Sequence, residues 1–385
     1  MAGIYVHIPF CKKRCIYCDF FSTTLLEKRD EYIQALLQEI AERKNETGEP
    51  LRTIYIGGGT PSVLTPEHIH SILQAIGTQD AIEITMEMNP ADISLKYLQS
   101  IRATGVNRLS IGIQSFQDEL LKFLGRRHSA AQAMEAVCTA QEAGFANISI
   151  DLMYAIPSQT KAQWLSDIDI ALSLNVQHIS SYGLMYEEDT ALTRLRDAKQ
   201  ITPIDEDLEN ELYDTLCQRL QQAGFVHYEV SNFALPGYES KHNSSYWNNT
   251  PYVGVGAGAH SYITNTHTNA NDPLSATNDP RNNTQPVRSW NPDDLNAYIN
   301  GILAHNLLRE SETLTPRDQY NERIMLGLRT SQGIHLSDTN ATRERDEVIL
   351  DFTRYNQLLI TQDDRVVVTQ KGLHILNRII EKLMI

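Results

Sequence analysis

No stretch of the 385 residues approaches the roughly 18–20 consecutive apolar residues that span a bilayer, so no transmembrane helix is expected. The segment Met1–Phe10 carries no basic run followed by an apolar one, so no secretory leader is expected either. Basic residues are in short supply. The 33 Lys and Arg face 48 Asp and Glu, for a net charge of -15. That balance argues against nucleic acid or an anionic membrane surface as the main partner. Cysteine is also scarce: there are five, and three of them fall between Cys11 and Cys18. A disulfide framework would spread an even number through a small chain, so the pattern reads as metal binding in a reducing, cytoplasmic compartment. The chain is 41% hydrophobic and 21% charged, which suits a soluble globular protein of two or three domains.

Strand-like and helix-like runs alternate through the first part of the chain. Strands are expected at Ile4–Ile8, Thr53–Ile56, Ile82–Met88, Arg108–Gln114, Asn147–Met153 and His178–Met185. Amphipathic helices are expected at Asp30–Arg43, Ser94–Ala103, Ala130–Ala143 and Lys161–Leu174. Gly105, Gly144 and Gly224 follow helical stretches as left-handed caps do. Strands separated by helices imply right-handed βαβ units, a parallel sheet and an α/β fold. Six such units suggest an open part-barrel, with the active site at the C-terminal ends of its strands. Three regions follow: 1–236 as this core, 237–310 as a smaller α+β extension, and 311–385 as a C-terminal winged-helix-like domain. The extension holds an Asn-rich loop, Asn265–Asn283. The last region reads as helices at Arg317–Leu328 and Arg343–Tyr355, a hairpin over Leu358–Thr369 turning at Asp363-Asp364, and a closing helix Leu373–Leu383.

Cys11, Cys15 and Cys18 have C-x3-C-x2-C spacing, placed right after the first strand. Thiolates suit zinc and iron–sulfur clusters. Structural zinc wants four closed ligands, and no further Cys or His follows at finger spacing. Three thiolates on a [4Fe–4S] cubane leave one iron open to chelate a small molecule. Lys12, Lys13 and Arg14 are expected to lower the thiol pKa values. Cys138 and Cys217 sit among apolar neighbours in helical patterns and read as buried, inert thiols. Trp164 reads as core.

The later strands end in polar residues. Strand two ends in Gly57-Gly58-Gly59-Thr60-Pro61, where glycines let backbone groups approach a ligand closely. Glu87, Gln114 and Asp151 interrupt the apolar runs of strands three, four and five near their C-terminal ends. Polar residues on successive strands converge on one mouth and read as a polar ligand site.

The cysteine spacing, with aromatic Tyr17 before the last cysteine, resembles the radical S-adenosylmethionine (SAM) superfamily. The lead-in Tyr5-Val6-His7-Ile8-Pro9-Phe10-Cys11 resembles the coproporphyrinogen-oxidase-like branch. The resemblance covers most of the chain. It implies that the open iron binds the amino and carboxylate groups of SAM, which reduction cleaves to a 5′-deoxyadenosyl radical. It implies that Tyr5 and Tyr17 flank the cluster and SAM, and that Gly58, Gly59 and Thr60 hold the methionine part. Glu87, Gln114, Arg126 and Asp151 are then expected to contact the rest of SAM. Carboxylates suit ribose hydroxyls and a guanidinium suits a carboxylate.

Within this branch the oxygen-independent coproporphyrinogen III oxidases carry a further cysteine two residues after the third. Here that place is Phe20. The oxidases also have a long N-terminal extension, whereas this chain begins four residues before Tyr5. Lys241-His242-Asn243-Ser244-Ser245-Tyr246-Trp247 resembles the H-N-x-x-Y-W motif of the HemW-type heme chaperones. Histidine is a natural axial ligand of heme iron, so the resemblance implies a heme contact at His242. Gly254, Gly256 and Gly258, followed by His260, read as a tight turn. The function implied is a heme chaperone that holds a [4Fe–4S] cluster, SAM and heme. It would deliver heme to acceptors such as respiratory hemoproteins, and a homodimer is compatible with it. The alternative is oxidative decarboxylation of coproporphyrinogen III.

Overall fold

The computed structural model describes residues 2–264, 285–306, 309–335, 343–354, 356–362 and 364–385. The Asn-rich segment expected as a loop, Tyr355 and Asp363 lie outside them.

The core alternates strand and helix: β1 (Ala2–Ile8), α1 (Arg29–Arg43), β2 (Leu51–Gly58), α2 (Pro66–Ile76), β3 (Glu83–Met88), α3 (Leu95–Ala103), β4 (Arg108–Gln114), α4 (Asp118–Leu124), α5 (Ala130–Glu142), β5 (Ile148–Tyr154), α6 (Lys161–Ser173) and β6 (His178–Gly183). Helices α7 (Ala191–Asp197) and α8 (Glu206–Gln222) lead to a hairpin of β7 (Val226–Glu229) and β8 (Asn232–Ala234). Then come α9 (Lys241–Trp247), β9 (Tyr252–Val255), β10 (His260–Ile263), β11 (Val287–Trp290), α10 (Leu295–Leu303) and β12 (Glu310–Thr313). These twelve strands form one open sheet in the order β12-β11-β10-β9-β1-β2-β3-β4-β5-β6-β8-β7. The fold is α/β, a radical SAM partial barrel.

Period-two alternation sets the two faces of this sheet. Ile4, Val6, Ile54, Ile56, Met86, Leu109, Ile111 and Ile150 are fully buried against the surrounding helices. Their strand neighbours Tyr55, Glu87, Ser110 and Asp151 turn to the concave side. The sequence-based bounds hold within a few residues. Ser94, Ser129 and Thr160 cap α3, α5 and α6 through side-chain oxygens. Gly105, Gly144 and Gly224 have the positive φ a helix stop requires. The sixth strand is shorter than expected, stopping at Gly183.

Two readings need correction. The glycine series does not form only a turn. Gly254 lies inside β9, which pairs in parallel with β1 and adds a seventh parallel strand. The turn begins at Gly256, whose φ is 104°. There a Cβ would stand 2.6 Å from the His7 carbonyl oxygen, so the close approach excludes a side chain. Cys138 is exposed rather than buried. On α5 the buried stripe is Ala133, Ala136, Val137 and Ala140, and Cys138 stands about 100° round the helix from Val137. Cys217 and Trp164 are buried as expected, and the indole donates to the Leu212 carbonyl at 2.9 Å.

The C-terminal part packs α11 (Pro316–Gly327), β13 (Ile334–His335), α12 (Arg343–Arg354), β14 (Leu359–Gln362), β15 (Arg365–Val368), α13 (Gln370–Leu373) and α14 (Leu376–Leu383). It has its own core, around Tyr320, Ile324, Val366 and Ile379. Strands β14 and β15 form the expected hairpin and β13 adds to it, which gives the winged-helix-like arrangement. The closing helix is in two pieces, broken where Ile375 leaves helical geometry (φ -123°, ψ 28°). Among the described residues no helix is long and apolar enough to cross a membrane.

Candidate functional site

A cavity of about 460 Å³ opens at the C-terminal ends of the parallel strands. The cysteine loop forms one wall. Its base is closed by two backbone bonds, Cys11 N–H to the Thr23 carbonyl (2.8 Å) and Thr23 N–H to the Pro9 carbonyl (2.7 Å). Its middle is tied at Ile16, whose N–H donates to Leu124 and whose carbonyl accepts from Leu192. Its start is tied by Lys12, which donates to Asp92 Oδ1 at 2.8 Å. Asp92 also accepts from Arg127 at 2.6 Å and from Ser62 at 3.2 Å. The loop is therefore fixed from four directions before any ligand arrives.

Cys11, Cys15 and Cys18 all line the cavity. The Cys11 sulfur lies 3.3 Å from Thr60 Oγ1, and Arg126 donates to the Cys15 sulfur at 3.5 Å. The basic run does not bring Cys11 or Cys18 below the usual thiol range. Burial raises both Cys11 and Cys18, the latter to about 11, and Arg14 offsets little of it. Lys12 is engaged by Asp92 instead. Metal binding must therefore displace the protons that burial favours on Cys11 and Cys18. Among the described residues no three His, Cys, Asp or Glu side chains converge on a point that would hold a single ion. A cubane offers separate iron corners, so its ligands need not converge that way.

Strand ends build the rest. Gly58 takes φ 113°, and its N–H donates to Glu87 Oε2 at 3.1 Å. A Cβ on Gly59 would stand 2.9 Å from the Cys11 sulfur. Only glycine leaves that wall open. Tyr55 donates to the other Glu87 oxygen at 2.8 Å. Burial raises Glu87 to about 7, with the Asp151 charge adding to it and the Tyr55 and Gly58 bonds opposing. Asp151 is raised by burial too, moderated by hydroxyls of Ser180 and Ser110. Gln114 sits at a β-bulge between β4 and β5, with φ 73°. That left-handed backbone in a non-glycine residue is strain of the kind found at functional sites. Arg126 donates to the Gly112 carbonyl, and its buried Nε has no partner among the described residues. The neighbouring Arg127 is taken by Asp92.

Of the expected residues, all three cysteines, Tyr17, Gly58, Gly59, Thr60, Glu87, Gln114, Arg126 and Asp151 share this cavity. Tyr5 and His242 do not line it. Tyr5 lies one ring behind, stacked on Tyr55 at 6.1 Å, with its hydroxyl 3.0 Å from His7 Nδ1. His242 is fully buried, and neither ring nitrogen is open: Nδ1 lies 2.9 Å from Thr53 Oγ1 and Nε2 2.9 Å from the Tyr246 hydroxyl. Burial lowers its pKa to about 3, so the ring is neutral. Asn243, the next residue, does line the cavity. The sequence reading missed Tyr55, Ser110 and Ser180, although each stands two residues from a chosen position or another polar one on the same strand face. It also missed an exposed apolar rim of Phe20 (64% exposed), Tyr182 (40%) and Met185 (66%).

The donor set fits an iron–sulfur cluster with a chelated polar ligand. Three thiols share one wall, a glycine turn gives backbone access beside Cys11, and the carboxyls of Glu87 and Asp151 and the Arg126 side chain line the same space. An α/β part-barrel with three thiols looped off its first strand is the architecture of a radical SAM protein. The Radical SAM superfamily matches residues 5–171, and the HemN C-terminal domain matches residues 314–375. The chain is 34% identical over 393 residues to the heme chaperone HemW of Lactococcus lactis, covering 99% of this chain and 97% of that protein. It is 37% identical over 342 residues to HemW of Bacillus subtilis, covering 87% of this chain and 85% of that protein. The chain belongs to the HemW family. A solved structure of Escherichia coli coproporphyrinogen III oxidase (HemN), a radical SAM enzyme, shares the fold at a TM-score of 0.79. That likeness covers 100% of this chain and 90% of that one, at 23% identity.

Proposed function

We propose that this protein is a heme chaperone. It holds a [4Fe–4S] cluster on Cys11, Cys15 and Cys18, binds SAM against Gly58, Gly59, Thr60, Glu87, Gln114, Arg126 and Asp151, and passes heme to acceptor hemoproteins in the cytoplasm or at a membrane face. One observation carries the reading: the cavity with the three thiols and the strand-end polar groups ends in an apolar rim of Phe20, Tyr182 and Met185. A deep polar part suits SAM, and an exposed apolar rim suits the flat face of a porphyrin. Lys13 and Arg14, exposed on the same wall, suit its carboxylates; Asp19 and Glu187 share the rim and limit that attraction.

When bound and reduced, the cluster supplies an electron to SAM. The chain's own groups bind and orient. Tyr55 and the Gly58 amide fix the two Glu87 oxygens, so the carboxyl is presented to a ribose hydroxyl in one orientation. Arg126 spans the Cys15 sulfur and the Gly112 carbonyl, which fixes its guanidinium at the cavity wall. Phe20 stands where the oxidases of this branch have a further cysteine, which favours carriage of heme over decarboxylation of its precursor.

The test is anaerobic reconstitution followed by hemin loading and mixing with an apo-acceptor hemoprotein. Transfer faster than from free hemin supports the reading. No transfer despite a full complement of iron would sink it. Conversion of coproporphyrinogen III over many turnovers would replace it with an oxidase.

A further inference from the structure

Helix α9 enters the concave side of the sheet from below the cavity, and its contacts are specific. Glu83 of β3 accepts from the Lys241 and His242 amides at 3.0 and 2.9 Å and so fixes the start of the helix. His242 is then wedged between strands. A Cβ on Gly3 would stand 3.1 Å from its Nδ1, so β1 is cut back to glycine where the ring lies. Thr53 and Tyr246 hold its two nitrogens. Its face stacks on Tyr55 with 5.2 Å between centroids and 27° between planes. Tyr5 stacks on Tyr55 at 28°. Tyr55 thus makes two parallel-ring contacts, and its hydroxyl is delivered to Glu87 Oε1.

We propose that His242 and Tyr246 act as positioning residues for the SAM site. They lie behind the cavity wall, and through the Tyr55 ring, which does line it, they hold Glu87 against the Gly58 amide. The proposal rests on reading the cavity as a SAM site. It assigns His242 a role that needs neither ring nitrogen open. Thr53 and Tyr246 hold the two nitrogens of His242, the His242 ring stacks on Tyr55, and the Tyr55 hydroxyl ends on a carboxyl in the cavity wall. Asn243 then reaches the cavity itself from the same turn of helix.

Two variants separate the links. Tyr55→Phe keeps the stacked ring and removes only the bond to Glu87. His242→Ala removes the ring that supports Tyr55. Both are reconstituted to the iron content of the wild type, and SAM binding is measured by anaerobic calorimetry beside a hemin titration. Each variant is expected to bind SAM about tenfold more weakly, equivalent to ~1.4 kcal/mol, with hemin affinity within twofold of the wild type. Exchange of the Gly58 amide proton, measured without SAM, is expected to quicken in both. Wild-type SAM affinity in His242→Ala, with hemin affinity lost, would overturn the proposal. If the wild type with full iron bound no SAM, the SAM reading would fall. Gly58 exchange would still decide the positioning: unchanged exchange in both variants would refute it.

Discussion

Lys12 and Asp92, 80 residues apart in the chain, meet at 2.8 Å and hold the cysteine loop to the turn after β3. The Asp92 side chain is 2% exposed and also takes Arg127 and Ser62, so it joins three segments around the thiols. Asp92→Ala leaves Arg127 without its acceptor, at a cost of about 1–3 kcal/mol for a buried hydrogen-bonded group. Lys12 is half exposed and adds less. The expected phenotype is local. Reconstituted protein should lose its iron several-fold faster to a chelator, with a fall in melting temperature of a few degrees. Iron retention equal to the wild type would show that the clasp is dispensable.

The three loop cysteines and the other two should separate cleanly by iron content. Cys11→Ser, Cys15→Ser and Cys18→Ser are each expected to reconstitute to background iron. Cys138→Ser, on the exposed side of α5, and Cys217→Ser, on the buried face of α8, should retain the wild-type amount. Burial favours the protonated form of Cys11 and Cys18, so cluster assembly should also slow as pH falls.

Glycine at position 59 is demanded by contact rather than by backbone angle. Its added Cβ would lie 2.9 Å from the Cys11 sulfur and 3.0 Å from the Pro9 backbone. The sulfur must shift to admit it. Gly59→Ala is expected to fold and to bind less than a tenth of the wild-type iron. Normal iron with normal absorbance would place the glycine's role elsewhere.

Glu87 gives a pH signature. Burial raises it to about 7 in the folded protein, against 4.5 in an ordinary setting. Between those values the folded state holds a proton that the unfolded state has released. Stability therefore falls as pH rises from about 4.5 to 7 and levels off above that. Glu87→Gln should remove this loss and raise stability at pH 8 by up to ~3 kcal/mol, with the difference vanishing near pH 4. Glu229, raised to about 7 by burial as well, keeps part of the slope in the variant. Thermal melts across this range check it. A Gln variant less stable than the wild type at pH 8 would contradict the sign.

The core strands and the cysteine loop were legible because their signals are local. Apolar residues alternate along β2 to β6, and helix caps such as Ser129 and Thr160 stand where the helices begin. Glu87, Gln114 and Asp151 were legible because a polar residue in an apolar strand has few structural reasons to be there. Strand β9 was not, because four residues containing Gly254 look like a turn until β1 supplies their partner. The surroundings of His242 were not either. Its motif names a histidine and a tyrosine four residues apart, and helical geometry brings them together at 2.9 Å. Nothing in the spacing says that Thr53, almost 190 residues earlier, takes the other nitrogen. Cys138 was misread because its neighbours in sequence are apolar while its neighbours on the helix surface are solvent.

Phe20 and Met185 are the most exposed large apolar side chains on the cavity rim, at 64% and 66%. Side chains already in water contribute little to folding, so the pair Phe20→Ser and Met185→Ser should shift stability by no more than about 0.5 kcal/mol each. If the rim carries heme, both become covered when it binds. Removing that contact should cost ~1–3 kcal/mol of binding, or roughly fivefold to 150-fold in hemin affinity. Iron content should be unchanged, because neither side chain touches a cluster ligand through a hydrogen bond. A hemin titration followed by absorbance checks this, with transfer to an apo-acceptor read in parallel. Weaker loading with faster release would place the cargo at the mouth of the cavity. Unaltered affinity in the double variant would move it off this face of the barrel.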